Sequence, residues 1–125
     1  MNRQLQAYRR TTTEADTPAR RLDQVLERAI HECKSAAERI DARDPAGKGN
    51  SINRVVEIVA ELEAALDFDL APDLCERLMS LYIYMQNRLA YANIKLDSAA
   101  VREVAGLLSN LRTAFAEAAA TNPNT

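Results

Sequence analysis

The sequence has little of what catalytic and metal sites are made from. Among 125 residues there is a single histidine. A carboxylate di-metal site in a helical bundle takes a Glu-x-x-His motif from each of two helices, which one histidine cannot supply. No Ser-His-Asp or Cys-His arrangement can be assembled around His31, which we expect at the surface. Gly47-Lys48-Gly49 lacks the first glycine and the final Ser or Thr of a phosphate-binding loop. We therefore expect no catalytic residue, no metal and no cofactor.

Glycine, proline and long apolar runs are also scarce. Three glycines and four prolines are too few for a sheet-rich or disordered chain, while 47% hydrophobic and 27% charged residues are typical of a soluble globular domain. No apolar run approaches the roughly 18 to 20 residues of a membrane span. The first ten residues carry basic side chains but no apolar segment of a signal peptide. The composition therefore predicts one helical domain in the cytoplasm, without membrane insertion.

The sequence has no large excess of charge of either sign. The 16 basic and 18 acidic residues are dispersed and leave a net charge of −2, so no strong field attracts nucleic acid or anionic lipid. Several arginines crowd the N-terminal end, but Tyr8 is the single aromatic residue among them, which makes a weak nucleic-acid signal. We expect no nucleic acid partner.

The two cysteines have no metal-ligand spacing. Cys33 and Cys75 each fall on or beside an apolar helical stripe, where a free cysteine behaves as a small hydrophobic residue. We expect two buried free thiols.

Apolar residues recur at helical spacing in four segments, and each segment has a start signal. Thr17 and Pro18 form a cap and a first helical residue, which predicts a helix over residues 18–42. Proline and glycine predict a loop over residues 44–49, after which Asn50 or Ser51 would cap a second helix.

The second half of the chain repeats this pattern. The second helix is expected to end at residue 67. Pro72 opens a third helix that runs to about residue 95, and Asp97 or Ser98 caps the fourth. Short connections place sequential helices antiparallel. The predicted fold is therefore all-α, an antiparallel up-and-down four-helix bundle.

The bundle is expected to occupy residues 17–121. Residues 1–16 contain a run of three threonines, which are poor helix formers because β-branched side chains lose rotamer freedom there. We expect this segment to be a mobile N-terminal arm, and residues 122–125 to be a disordered tail.

The third helix has more apolar surface than a bundle core needs. One stripe at helical spacing is expected to face the core: Leu74, Leu78, Leu81, Tyr82, Met85, Leu89 and Ala92. A second row points to roughly the opposite side: Ile83, Tyr84, Asn87, Tyr91 and Ile94. Tyrosines are enriched at protein interfaces, and such a row suits a peptide laid along a groove. The pattern leaves two alternatives open, a partner-binding face or a face covered by the first or fourth helix.

Short motifs spread over nearly the whole chain form an ordered set. They are Ala7-Tyr8, Pro18, Leu66-Asp67, Leu81-Tyr82-x-Tyr84-Met85, Arg88-Leu89, Ala92-Asn93, Asp97 and Glu103-Val104-x-x-Leu107-Leu108-x-x-Leu111-Arg112-x-Ala114. In order and spacing this set resembles the flagellar export chaperones of the FliS type, which bind flagellin. No single motif is decisive, but together they are fairly specific.

The resemblance implies a cytoplasmic holding chaperone that works without ATP. Such a protein binds the disordered C-terminal segment of flagellin, prevents premature polymerisation and presents the client to the flagellar type III export gate. Members of the family also cover part of the client groove with the N-terminal arm when the groove is empty. The implied client groove therefore comprises Tyr8, Ile83, Tyr84, Asn87, Tyr91 and Ile94. We expect a monomer when free and one client per chaperone. The alternative is a structural helical protein that dimerises or docks in a larger assembly through the same face.

Overall fold

The computed structural model describes residues 17–121, which form four helices. These are α1 (Pro18–Asp41), α2 (Pro45–Ala64), α3 (Pro72–Lys95) and α4 (Ser98–Thr121). There is no strand within residues 17–121, and the all-α prediction is confirmed. The predicted arm, with Tyr8, and the predicted tail lie outside the described residues and stay predictions.

The helices pack as a four-membered ring in chain order. Helices α1 and α3 each pack against α2 and α4, so α1 and α3 occupy opposite corners. Arg112 near the end of α4 pairs with Asp23 near the start of α1 at 2.8 Å, and Arg102 in the first part of α4 pairs with Asp41 at the end of α1 at 2.7 Å. These two pairs fix α1 and α4 as antiparallel, which confirms the up-and-down bundle.

Both short connections lie at one end of the bundle. Residues 42–44 join α1 to α2, and residues 96–97 join α3 to α4. The Lys48 ammonium donates hydrogen bonds to the side-chain and main-chain oxygens of Asn93, at 2.8 and 3.3 Å, so the start of α2 lies beside the end of α3. We call this the two-turn end. The longer connection, residues 65–71, lies at the other end.

The core is formed by the predicted apolar stripes. Helix α1 contributes mainly small buried residues such as Ala29, Cys33 and Ala36, whereas α3 contributes the larger Tyr82 and Leu89. Fully burying a large apolar side chain stabilises a protein by about 1.5–3 kcal/mol. Both cysteines are free and buried, as predicted.

Helix α2 begins earlier than the sequence pattern predicted. An Asp44 carboxylate oxygen accepts a hydrogen bond from the backbone N–H of Gly47 at 3.1 Å, so Asp44 caps α2 and Pro45 is its first residue. The prediction of a loop over residues 44–49 capped by Asn50 or Ser51 was wrong. The physical reason is that Asp44 and Pro45 form the same cap-and-proline pair as Thr17 and Pro18, and proline at a first helical position starts a helix.

The glycine nearest this helix start serves packing, not turning. A Cβ at Gly47 would lie 2.5 Å from the Arg39 side chain and 2.5 Å from the Asp44 carboxylate. None of the glycines has a positive φ. Left-handed backbone is instead found at Arg43, with φ 58°, and at Leu96, with φ 55°, one in each connection of the two-turn end.

The other helix boundaries follow the prediction more closely. Helix α2 ends at Ala64, three residues before the predicted position. Asp97 caps α4, because its carboxylate accepts hydrogen bonds from the N–H groups of Ala99 and Ala100 at 3.0 and 3.3 Å.

One predicted core residue of α3 is misplaced. Leu74 is 52% exposed, whereas its neighbour Cys75 is only 6% exposed. The Cys75 thiol donates a hydrogen bond to the Asp67 carbonyl at 3.3 Å. The incoming connection therefore covers Cys75 at the first turn of α3 and leaves Leu74 outside.

Candidate functional site

The exposed apolar surface of the described chain is concentrated on one helix and its connections. Eight large apolar side chains within residues 17–121 are exposed, and all lie between residues 68 and 96: Phe68, Leu70, Leu74, Ile83, Tyr84, Tyr91, Ile94 and Leu96. Single exposed apolar residues are ordinary, so the four that share one row of α3, Ile83, Tyr84, Tyr91 and Ile94, are the candidates for an interaction surface and the isolated ones in the connections are not.

The second apolar row of α3 points away from the core. Its five members are all exposed, and we call them the outer face: Ile83, Tyr84, Asn87, Tyr91 and Ile94. The two tyrosines are each 44% exposed, and Ile94 is 76% exposed. The alternative in which α1 or α4 covers this row was therefore wrong. The sixth predicted site residue, Tyr8, lies outside the described residues.

The tyrosines of the outer face are tied to α4 by a polar network. The Tyr84 hydroxyl donates a hydrogen bond to one carboxylate oxygen of Glu103, and Arg88 Nε donates to the other at 2.8 Å. The Arg88 guanidinium also lies 4.9 Å from the centroid of the Tyr91 ring, within cation–π range. One carboxylate on α4 thus restrains both rings on α3. Restrained side chains lose less rotamer entropy when a partner binds.

The network shifts the pKa values of its carboxyl and its hydroxyl in opposite directions. The hydrogen bond from Tyr84, together with Arg88, lowers the pKa of the Glu103 carboxyl below its ordinary value. The hydrogen bond to Glu103 raises the pKa of the Tyr84 hydroxyl. Glu103 therefore stays ionised and Tyr84 stays protonated between the two titrations, which is the state the network requires.

Sequence reasoning missed the two residues that hold the tyrosines. Arg88 was named only as part of a motif and was given no role in the site, although it follows Tyr84 by four residues and precedes Tyr91 by three. That spacing places it beside both rings and could have revealed it. Glu103 lies on another helix, and its position depends on the packing register of α3 against α4, for which the local sequence gives no signal.

Tyr82, His31 and Cys33, for which the sequence predicts no functional role, have the burial that the sequence predicts. Tyr82 is 2% exposed, and burial with a contribution from Cys75 raises its pKa. His31 is exposed. Burial, with a smaller effect of Glu32, raises the pKa of the Cys33 thiol to about 12, so this cysteine is a poor nucleophile at neutral pH.

The outer face has the surface properties of a binding site. Its tyrosine rings carry polar hydroxyl tips, its isoleucines offer aliphatic surface, and next to Tyr91 the Asn93 side chain contacts Lys48 of α2. Within residues 17–121 no group of three or more His, Cys, Asp or Glu side chains is placed to hold a metal ion. None of the four helices is long and apolar enough to cross a membrane.

Comparison with known proteins gives one consistent result. The family model described as "Flagellar protein FliS" matches residues 1–122. The flagellar secretion chaperone FliS of Salmonella typhimurium strain LT2 is 30% identical over 116 residues, which cover 89% of this chain and 86% of that protein. Its Escherichia coli K12 counterpart is 38% identical over 72 residues, or 57% and 53% of the two chains. That of Bacillus subtilis strain 168 is 27% identical over 112 residues, or 90% and 83%.

Proposed function

Because this chain belongs to the FliS family of flagellar secretion chaperones, we propose that its outer face binds the disordered C-terminal segment of flagellin. Binding in the cytoplasm prevents premature polymerisation, and the chaperone delivers the client to the flagellar type III export gate. The observation that carries the proposal is the outer face itself, a row with two half-exposed tyrosines on a helix whose inner side already fills the core.

The outer face fits a segment that gains order on binding. Ile83 and Ile94 offer aliphatic surface, and Tyr84 and Tyr91 add ring faces whose charged neighbours, Arg88 and Glu103, are paired with each other. Apolar side chains of the client would bury against this surface. Ordering the client costs entropy and lowers the net affinity. A moderate affinity allows release for export without ATP.

The N-terminal arm is the second part of the proposal. Residues 1–16 precede α1, and Tyr8 covers part of the groove when no client is bound. The chaperone is a monomer when free, with residues 17–121 as its single folded domain, and it binds one client.

Titration calorimetry with a flagellin C-terminal peptide tests the site. We expect the double variant Tyr84→Ala/Tyr91→Ala to bind at least about tenfold more weakly than the unsubstituted protein, because aromatic anchors often dominate an interface. The matched control is Phe68→Ala, which removes an exposed aromatic ring from the α2–α3 connection, outside the outer face. Unchanged affinity in a folded double variant would reject the site.

The same exposed face gives the alternative its support. A structural protein could dimerise or dock in a larger assembly through Tyr84 and Tyr91. Light scattering of the free protein separates the two functions, since the chaperone is expected at the monomer mass of 13.9 kDa and the structural protein at twice that mass.

A further inference from the structure

The two connections of the two-turn end share an unusual backbone feature. Arg43 and Leu96 are the non-glycine residues with positive φ among residues 17–121, and each stands where a helix has just ended. Glycine is the residue that occupies such a position with least strain. Two adjacent turns therefore hold a large side chain where the backbone favours glycine, and Leu96 is also 59% exposed. The backbone conformation therefore explains neither side chain.

Arg43 and Leu96 line the same pocket. Its volume is about 500 Å³, and Ile40 and Pro45 add apolar wall while Arg39 and Lys48 add positive charge. The strained side chains come from different turns, more than fifty positions apart in the chain, and meet at one cavity. Arg43 and Leu96 therefore have in common that they line this pocket. A binding role for the pocket explains why each turn keeps a large side chain.

The pocket carries positive charge that its own carboxylate does not neutralise. Asp44 is its one acidic residue, and it is engaged by capping Gly47 and by pairing with Arg39 at 2.7 Å. Lys48 binds the neutral side chain of Asn93. Within the described part of the chain, the Arg43 guanidinium has no ion pair or hydrogen bond.

We propose that this pocket is a second docking site, which takes an acidic segment of a partner protein around one apolar anchor. Carboxylates of the segment bind Arg43 and Lys48, and the anchor packs on Leu96 and Ile40. The apolar wall and the Asp44 carboxylate favour a peptide over a nucleic acid phosphate chain. The site goes beyond the proposed function, because none of the residues that line the pocket belongs to the outer face.

A synthetic peptide probes the site directly. The probe is an end-blocked decapeptide with Leu-Phe at its centre and two glutamates on each side, and the control peptides replace the glutamates by glutamine or lysine. We expect the full-length chaperone to bind the glutamate peptide at least about tenfold more tightly than the glutamine peptide. Equal affinity for the two peptides would overturn the proposal, as would displacement of the glutamate peptide by an oligothymidylate at equal concentration.

Substituting glycine at position 96 relieves backbone strain, so it tests peptide binding without weakening the fold. We expect Leu96→Gly to weaken binding of the glutamate peptide about tenfold while the melting temperature changes by less than about 3 °C, since glycine suits this backbone. Arg43→Glu leaves the pocket lining with no net charge and should remove the preference for the glutamate peptide over the glutamine peptide. Arg28→Glu makes the same charge change on an exposed position of α1 and should leave binding unaltered.

The outer face gives the final control. The Tyr84→Ala/Tyr91→Ala variant should bind the glutamate peptide as the unsubstituted protein does, so that failure of this site and failure of the flagellin site are told apart. Retained binding in Leu96→Gly, or a loss in the tyrosine variant, would overturn a separate docking site.

Discussion

Helices α1 and α3 occupy opposite corners of the bundle and differ in how many large apolar side chains they leave exposed to solvent. Each has 24 residues, and each buries five. Five further large apolar side chains of α3 are exposed, namely Leu74 and the four apolar members of the outer face, whereas α1 contributes none to the exposed apolar set. The two helices therefore bury the same number of residues, and α3 has a surplus of large apolar side chains that lie outside the core. That surplus is the basis for assigning binding to α3.

The ion pairs of α4 extend the comparison. Arg112 joins α4 to α1 through Asp23, with two hydrogen bonds at 2.8 and 3.1 Å. Arg88 joins α3 to α4 through Glu103 at 2.8 Å. The first pair shares a cavity with Phe115, which is partly buried against the core, and the second holds the tyrosines of the outer face. Loss of the Arg112–Asp23 pair is thus expected to affect stability, whereas loss of the Arg88–Glu103 pair is expected to affect binding.

The largest expected effect is on the free energy of unfolding, from a substitution in the buried side of α1. Leu26 is fully buried, so Leu26→Ala should lower the free energy of unfolding by about 2–5 kcal/mol through lost burial and the cavity left behind. Denaturant unfolding measures this change. The control is Ile83→Ala on α3, which should cost less than about 1 kcal/mol because Ile83 is 47% exposed. Equal losses would break the contrast between the two helices.

The next effect is on binding, through α4. Removing the carboxylate in Glu103→Ala frees both tyrosine rings, and we expect flagellin peptide affinity to fall about three- to tenfold while the melting temperature changes by less than about 3 °C. Tyr84→Phe retains the ring and the Arg88–Glu103 pair, so it should give a smaller loss. Calorimetry of the folded variants provides both values, and a Glu103→Ala variant with full affinity would remove the network from the binding site.

A smaller effect is expected from pH, through the pair on the α1 side. The hydrogen bond from Arg112 lowers the pKa of Asp23 below the ordinary 3.8, so this pair contributes stability above that pH and loses it as pH falls through the folded pKa. The contribution is modest because the pair is partly exposed to solvent. Asp23→Asn should therefore lose less stability than the unsubstituted protein as the solution is acidified below about pH 4, in thermal unfolding at a series of pH values. Parallel curves would show that the pair contributes nothing.

The smallest expected effect concerns the arm, which precedes α1 but is predicted to act at α3. Deleting residues 2–13 should leave flagellin peptide affinity unaltered or slightly higher, because the arm competes with the client for the groove. Calorimetry on the truncated protein measures this. A substantial weakening would make the arm a direct client contact.

Much of the fold could be predicted because the signals were local. Apolar periodicity and the start signals at Thr17, Pro72 and Asp97 give three helices within a few residues. The predicted start of α2 is wrong because the glycines after Pro45 favour a turn, although the Asp44 cap is an equally strong signal for a helix. Leu74 was misplaced because helical projection assumes one inward direction along α3, and the incoming connection changes that direction at the first turn.

The candidate site was predictable only in part, because only some of its signals are local in the sequence. The exposed row from Ile83 to Ile94 follows from spacing along one helix. Glu103 and the pocket at the two-turn end depend on which helices meet and in what register, and Leu96 takes a backbone conformation that its own residue type does not suggest. The role of the row in binding flagellin remains a prediction.

The packing of the first helix against the last has a consequence for protein synthesis. Helix α1 packs most extensively against α4, and Asp23 meets Arg112 across 89 positions of the chain. A ribosome must therefore release nearly the entire polypeptide before α1 can bury the part of its apolar side that faces α4. Glu103 also belongs to that last helix, so the carboxylate that holds Tyr84 of the outer face is supplied by the same helix. A nascent chain that stops before α4 has neither a closed core nor a finished site for its partner.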